Sequence, residues 1–84
     1  MPRIRFKRYD ARPLLNQGIE PYAEIRRRVD RLKPSEGLVI TTPFLPSPLI
    51  ERLESEGYAA RAERTAEGSW VTHFWREQVG GVKP

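Results

Sequence analysis

No cysteine occurs in this chain, so its 84 residues have to be held together by one apolar core, without disulfides or thiolate-bound metal. That length lies near the lower end of what folds unaided. It allows a single domain of two packed layers, with little room for a deep, enclosed active site. A hydrophobic content of 38% beside 31% charged residues is ordinary for a globular chain and points away from disorder. No apolar run approaches the ~20 residues that cross a bilayer. The basic start MPRIRFKRYD leads into no apolar stretch of the signal-peptide kind. The expectation is a cytoplasmic domain with no membrane partner.

Prolines and glycines punctuate the chain into short elements. Arg5–Tyr9 reads as a strand that stops before Pro13, because proline cannot extend a strand interior. Leu14–Ile19 reads as a connecting loop, with Gly18 free to take a positive φ. The clearest helix follows Glu20, with Pro21 in its first turn and Tyr22, Ile25, Val29 and Leu32 on one face. Glu24 with Arg28 and Arg26 with Asp30 are spaced to pair along it, and Lys33-Pro34 ends it. Leu38–Thr42 lacks alternation, as a central strand covered on both faces would. Pro43-Phe44-Leu45-Pro46 stops it, and Ser47 then caps a helix that has Pro48 in its first turn and Gly57 at its C-terminal end. Tyr58–Arg64 and Ser69–Arg76 form an antiparallel hairpin around the turn 65–68.

The order β-α-β-α-β-β defines an α/β fold, a two-layer α+β sandwich. Right-handed crossovers put both helices on one side of a four-stranded mixed sheet. Residues 1–84 then form one domain with a core over about 5–76 and a flexible tail over 77–84. The sheet face without helices is expected to carry Val39, Thr41, Arg61, Glu63, Val71, His73 and Trp75. Of these, Val39, Val71, His73 and Trp75 are candidates for an interface with another protein or a second copy.

Several fragments together carry a family resemblance. Tyr9-Asp10-Ala11-Arg12-Pro13-Leu14-Leu15, Glu20-Pro21-Tyr22, Pro43-Phe44-Leu45-Pro46-Ser47-Pro48-Leu49 and Gly68-Ser69-Trp70 resemble the bacterial domain-of-unknown-function family 2249. That family is similar in fold to the TusA/SirA-like sulfur carriers. In those carriers a cysteine precedes the proline at the start of the first helix and receives sulfur, its thiolate favoured by the helix dipole. Here Glu20 precedes Pro21. A carboxylate cannot accept sulfane sulfur, so the resemblance implies the scaffold without the carrier chemistry, and an accessory role that engages a partner.

Strand C-terminal ends and helix N-termini are where open α/β folds bind ligands. Asp10, Arg12, Pro13, Glu20 and Pro21 are therefore expected to line a cleft with Pro43, Phe44, Pro46 and Pro48. Each also has a plainer role, in helix capping, turn stabilisation or loop packing. His73 is the lone histidine, so no transition-metal site is expected. No catalytic triad, phosphate loop or cofactor motif stands out, and an enzyme is not expected.

The charge is uneven: residues 1–42 hold ten Lys/Arg against five Asp/Glu, whereas residues 43–84 hold five against six. An alternative function is therefore RNA binding through Arg3, Arg5, Lys7, Arg8, Arg26, Arg27, Arg28 and Arg31, with Phe6 and Tyr9 for stacking.

Overall fold

In the computed structural model, residues 4–76 are described. The expected tail over 77–84 and the Arg3 of the basic set lie outside them. The elements are β1 (Arg5–Asp10), α1 (Arg12–Asn16), α2 (Tyr22–Asp30), β2 (Glu36–Thr42), α3 (Ser47–Ser55), β3 (Tyr58–Arg64) and β4 (Trp70–Arg76). Strand order is β1-β2-β4-β3, with β1 and β2 parallel and the other pairs antiparallel. The mixed four-stranded sheet is as expected. The added element is α1.

Leu14–Ile19 is thus not simply a loop: its first residues belong to a short helix. Pro13 ends a strand and also fits a first helical turn, and only the strand-ending role was visible locally. Five residues are too few to show a periodicity or to hold a helix by propensity alone. Packing does it instead. Ala11 is fully buried at the strand–helix corner, and Leu15 packs on the core. α2 begins one residue later than its sequence suggests, with Pro21 at the N-cap, and ends at Asp30. Leu32 still turns inward, because the Arg31 and Leu32 N–H groups bond back to Arg28 and Val29 in a tightened last turn. In α3 the cap is Pro46, and Ser47 is the first helical residue with no side-chain cap bond. Gly57 has φ 97° just past its end, a conformation that disfavours any side chain.

One core cluster joins Ile25 and Val29 of α2, Leu53 of α3, and Leu38, Ile40, Tyr58 and Phe74 of the sheet. Leu32, Leu49, Ile50 and Ala60 pack around it. Because these strand residues alternate in register, all the helices lie on one sheet face.

The other face carries the expected Thr41, Arg61, Glu63, Val71, His73 and Trp75, together with Phe6 and Arg8 of β1. Phe6 is the addition that changes this surface. Its ring meets His73 edge-on at 5.0 Å and Trp75 at 6.2 Å between centroids. Gly37 makes that approach possible: a Cβ there would stand 2.6 Å from both the Phe6 ring and the Phe74 carbonyl oxygen. Val39 lies on this face but is only 2% exposed, so it underlies the surface rather than offering a contact. It is flanked in register by Arg8 and His73, whose side chains stand taller than its own.

Two substitutions test this packing. Gly37→Ala should destabilise the domain by about 1–3 kcal/mol, since a backbone carbonyl cannot yield as a side chain can. The Thr72 hydroxyl is buried in the core without a partner among the described residues. Thr72→Val should therefore stabilise by about 1 kcal/mol in denaturant titrations, because it removes an unsatisfied polar group at nearly constant shape.

Candidate functional site

The C-terminal end of β2 and the start of α2 frame an open groove. Its shape comes from the proline-rich connection between β2 and α3. The Thr42 hydroxyl donates to the Phe44 carbonyl at 2.6 Å, and the Ser47 N–H donates to the Leu45 carbonyl at 2.9 Å, which fixes the bend. Pro46 is buried beneath it, while Phe44 is 51% exposed and Leu45 41%. Pro21 of the opposite wall is buried, and Ile19, the chain neighbour of the wall residue Glu20, is 47% exposed.

The groove has a volume of about 390 Å³. Its apolar walls come from Leu15, Pro21, Ile25, Phe44, Pro46 and Leu49, and its charged groups from Glu20 and Arg52. Tyr22 lies in the wall, with its hydroxyl buried beside the Arg26 guanidinium and no hydrogen bond of good geometry. The Glu20 carboxylate accepts from the Tyr22 N–H at 3.1 Å, which gives it the helix-start role that its position implies. Pro48 completes the lining.

Of the cleft residues expected from the sequence, Glu20, Pro21, Phe44, Pro46 and Pro48 come together here. Asp10, Arg12, Pro13 and Pro43 are not part of the lining. The reason for the first two is mutual pairing. Arg12 donates to the Asp10 carboxylate through Nε at 2.9 Å and through a terminal nitrogen at 2.8 Å, and its backbone N–H reaches the same carboxylate at 3.0 Å. The other end of the guanidinium reaches Ser69 Oγ at 3.3 Å. This pair therefore joins the end of β1 to the β3–β4 turn, away from the groove. Leu15 and Leu49 are groove residues that the motif reasoning missed. Both stand inside the quoted motifs, and each needed its helix placed before its side chain could be aimed.

The cations of α2 are also largely engaged. Arg26 grips Glu56 at 2.7 and 2.8 Å and Asp30 at 2.8 Å, which ties α2 to the end of α3. Arg52 adds a bond to Glu56 at 3.1 Å. Arg26 first and Arg52 second hold the Glu56 carboxyl below its ordinary range. Glu24 takes both Arg27 and Arg28, and Arg28 also sits 4.3 Å from the Tyr9 ring centroid. Among the described residues no group of three or more Asp, Glu or His side chains is arranged to hold a metal ion, and no helix is long and apolar enough to cross a membrane.

A sheet with all its helices on one face, open on the other and grooved at the strand ends, defines a two-layer α+β domain of the compact, single-sheet kind. The model of the uncharacterised conserved protein family DUF2249 matches residues 8–76, and the chain belongs to that family. No curated protein and no solved structure matches it.

The Asp10–Arg12 clasp has a signature in acid. The Arg12 guanidinium, by hydrogen bonding and charge, lowers the Asp10 pKa from its ordinary value. A carboxyl depressed in the folded state adds stability above its unfolded pKa and loses it as pH falls through the folded value. Asp10→Asn should therefore lower the midpoint of thermal unfolding slightly at neutral pH. The difference from wild type should vanish below the ordinary carboxylate range. A difference that persists unchanged in acid would show that the clasp contributes nothing through charge.

Proposed function

We propose that this domain is a small, non-catalytic accessory module that receives an apolar segment of a protein partner in the groove between α2 and the β2–α3 connection. One observation carries the reading. Of the large apolar side chains that the fold leaves exposed, Phe44 lines this groove, and Ile19 and Leu45 are chain neighbours of its lining residues Glu20, Phe44 and Pro46. Apolar groups gathered at a concave, proline-stiffened site are suited to protein association, since they lose little conformational freedom on contact. Glu20 at one wall and Arg52 at the other suit a segment with charged residues on either side of its apolar anchor.

On this reading the domain is a bacterial cytoplasmic relative of the TusA/SirA-like carriers, with Glu20 where their cysteine precedes the proline. Support comes from the single sheet with helices on one face and from Glu20-Pro21 at the start of α2. Engagement of Glu20 by the Tyr22 N–H and of Asp10 by Arg12 favours binding over catalysis, because both carboxylates already serve the backbone or a neighbour. The competing reading, RNA held by the basic N-terminal strand and α2 together, loses its helical half to the pairing of Arg26, Arg27 and Arg28 with Glu24, Asp30 and Glu56.

Site-specific photo-crosslinking in cells tests the groove. Benzoylphenylalanine in place of Phe44 should capture one protein, identifiable by mass spectrometry, that the same group in place of the exposed Glu67 does not. Adding Ile19→Glu or Leu45→Glu should abolish that capture without changing thermal stability, and the purified pair should bind with the same dependence. Identical products from both positions, or capture that survives the rim substitutions, would overturn the proposal.

A further inference from the structure

The helix-free sheet face offers a second, separate surface. Strand register arranges it in rows across β1-β2-β4-β3: Phe6, Gly37, Trp75 and Ala59, then Arg8, Val39, His73 and Arg61, then Asp10, Thr41, Val71 and Glu63. Aromatic rings thus sit beside a row ended by two arginines. Ile4, Phe6, Arg61, Glu63, His73 and Trp75 line a concavity of about 520 Å³ on this face. Phe6 stands perpendicular to both His73 and Trp75, at 86° and 85°, so the cluster presents ring surfaces in more than one orientation. Phe6 is itself 39% exposed.

We propose that this face binds single-stranded nucleic acid, with bases stacked on Phe6 and Trp75 and phosphates held by Arg8 and Arg61. Arg8 forms no ion pair among the described residues. Arg61 has only the exposed Glu63, at 3.4 Å. Outward cations next to aromatic rings are the combination that single strands need, because every base has a stackable face and every step carries a phosphate. The outer strands of a four-stranded sheet lie ~14 Å apart, enough for the two or three bases that such platforms stack.

A second copy of the chain fits this face less well. Pairing about a two-fold axis along the strands sets Arg8 against Arg61 and Asp10 against Glu63. An axis across the strands, through the arginine row, sets each arginine against itself. Moved between the arginine and carboxylate rows, it sets Arg8 against Asp10 and Arg61 against Glu63, but Asp10 is already bonded to Arg12 and Glu63 to Arg61, so the contact would trade bonds within the chain for bonds between copies. A single strand needs only the aromatic and arginine rows, and the carboxylates of the third row are already paired, Asp10 with Arg12 and Glu63 with Arg61. The inference stands apart from the groove, which opens on the other side of the sheet.

Fluorescence anisotropy with labelled oligouridylate and oligothymidylate tests it, the two arms separating RNA from DNA. Binding is expected at low ionic strength and should weaken steadily with added salt. Phe6→Leu, which keeps apolar cover over Gly37, and Trp75→Leu should each weaken it about tenfold, with circular dichroism confirming the fold. Arg8→Ala should lower the slope of log affinity against log salt by about 0.7, the share of one phosphate on a single strand. Arg31→Ala, beyond the end of α2, should leave binding unchanged. Absence of binding at low salt would overturn the proposal. So would indifference to both aromatic substitutions, or an Arg31→Ala loss equal to that of Arg8→Ala.

Discussion

Pairing of β2 with β4 is the contact on which the rest of this domain depends. β1, α1, α2 and β2 form one sequence-local unit, and β3 with β4 forms another. Only the antiparallel ladder from Gly37↔Trp75 to Thr42↔Trp70 turns them into one sheet. It sets Leu38 beside Phe74 and Ile40 beside Thr72, so the floor of the core is shared between the two units. The same ladder brings Trp75 and His73 beside Phe6 on the opposite face. With a core this small and no disulfide to close it, loss of that pairing would leave neither unit with a second apolar layer.

Charge completes what the small core begins. Arg26 bonds Glu56 across from α2 to α3, and Arg12 links the end of β1 through Asp10 to Ser69. These ties join helix to helix and strand end to hairpin turn. They also consume charges that a count of residues alone would offer to a ligand. The arginine-rich α2 is mostly a fastening surface, whereas Arg8 on the edge strand stays unengaged among the described residues.

Two surfaces are left for recognition, and they differ in kind. The groove is apolar and stiffened by proline at Pro21, Pro46 and Pro48. The sheet face is aromatic, with Arg8 in no ion pair among the described residues and Arg61 beside Glu63. The two surfaces lie on opposite sides of the sheet, so a protein segment and a nucleic acid strand would not compete for space. Glu20 stands at the edge of the groove, where its carboxylate sits at the start of α2 and accepts a backbone N–H.

The sequence alone determined the strands, the two longer helices, their shared side of the sheet and the absence of thiol chemistry. These follow from local periodicity, from proline and glycine, and from composition. It also placed Glu20, Pro21, Phe44, Pro46 and Pro48 together, because strand-end and helix-start positions meet in any fold of this plan. Tertiary structure alone decided the rest. The α1 helix exists because Ala11 and Leu15 find a core, which five residues cannot announce in advance. Asp10 and Arg12 left the groove because they bond each other and Ser69, a partner 57 positions from Arg12. Phe6 joined the open face because the parallel register of β1 on β2 puts a glycine opposite the ring, and Val39 sank beneath that face because the same register and the β4 ladder flank it with Arg8 and His73. Side-chain direction on an edge strand depends on that register, and register is a property of the pair rather than of either segment.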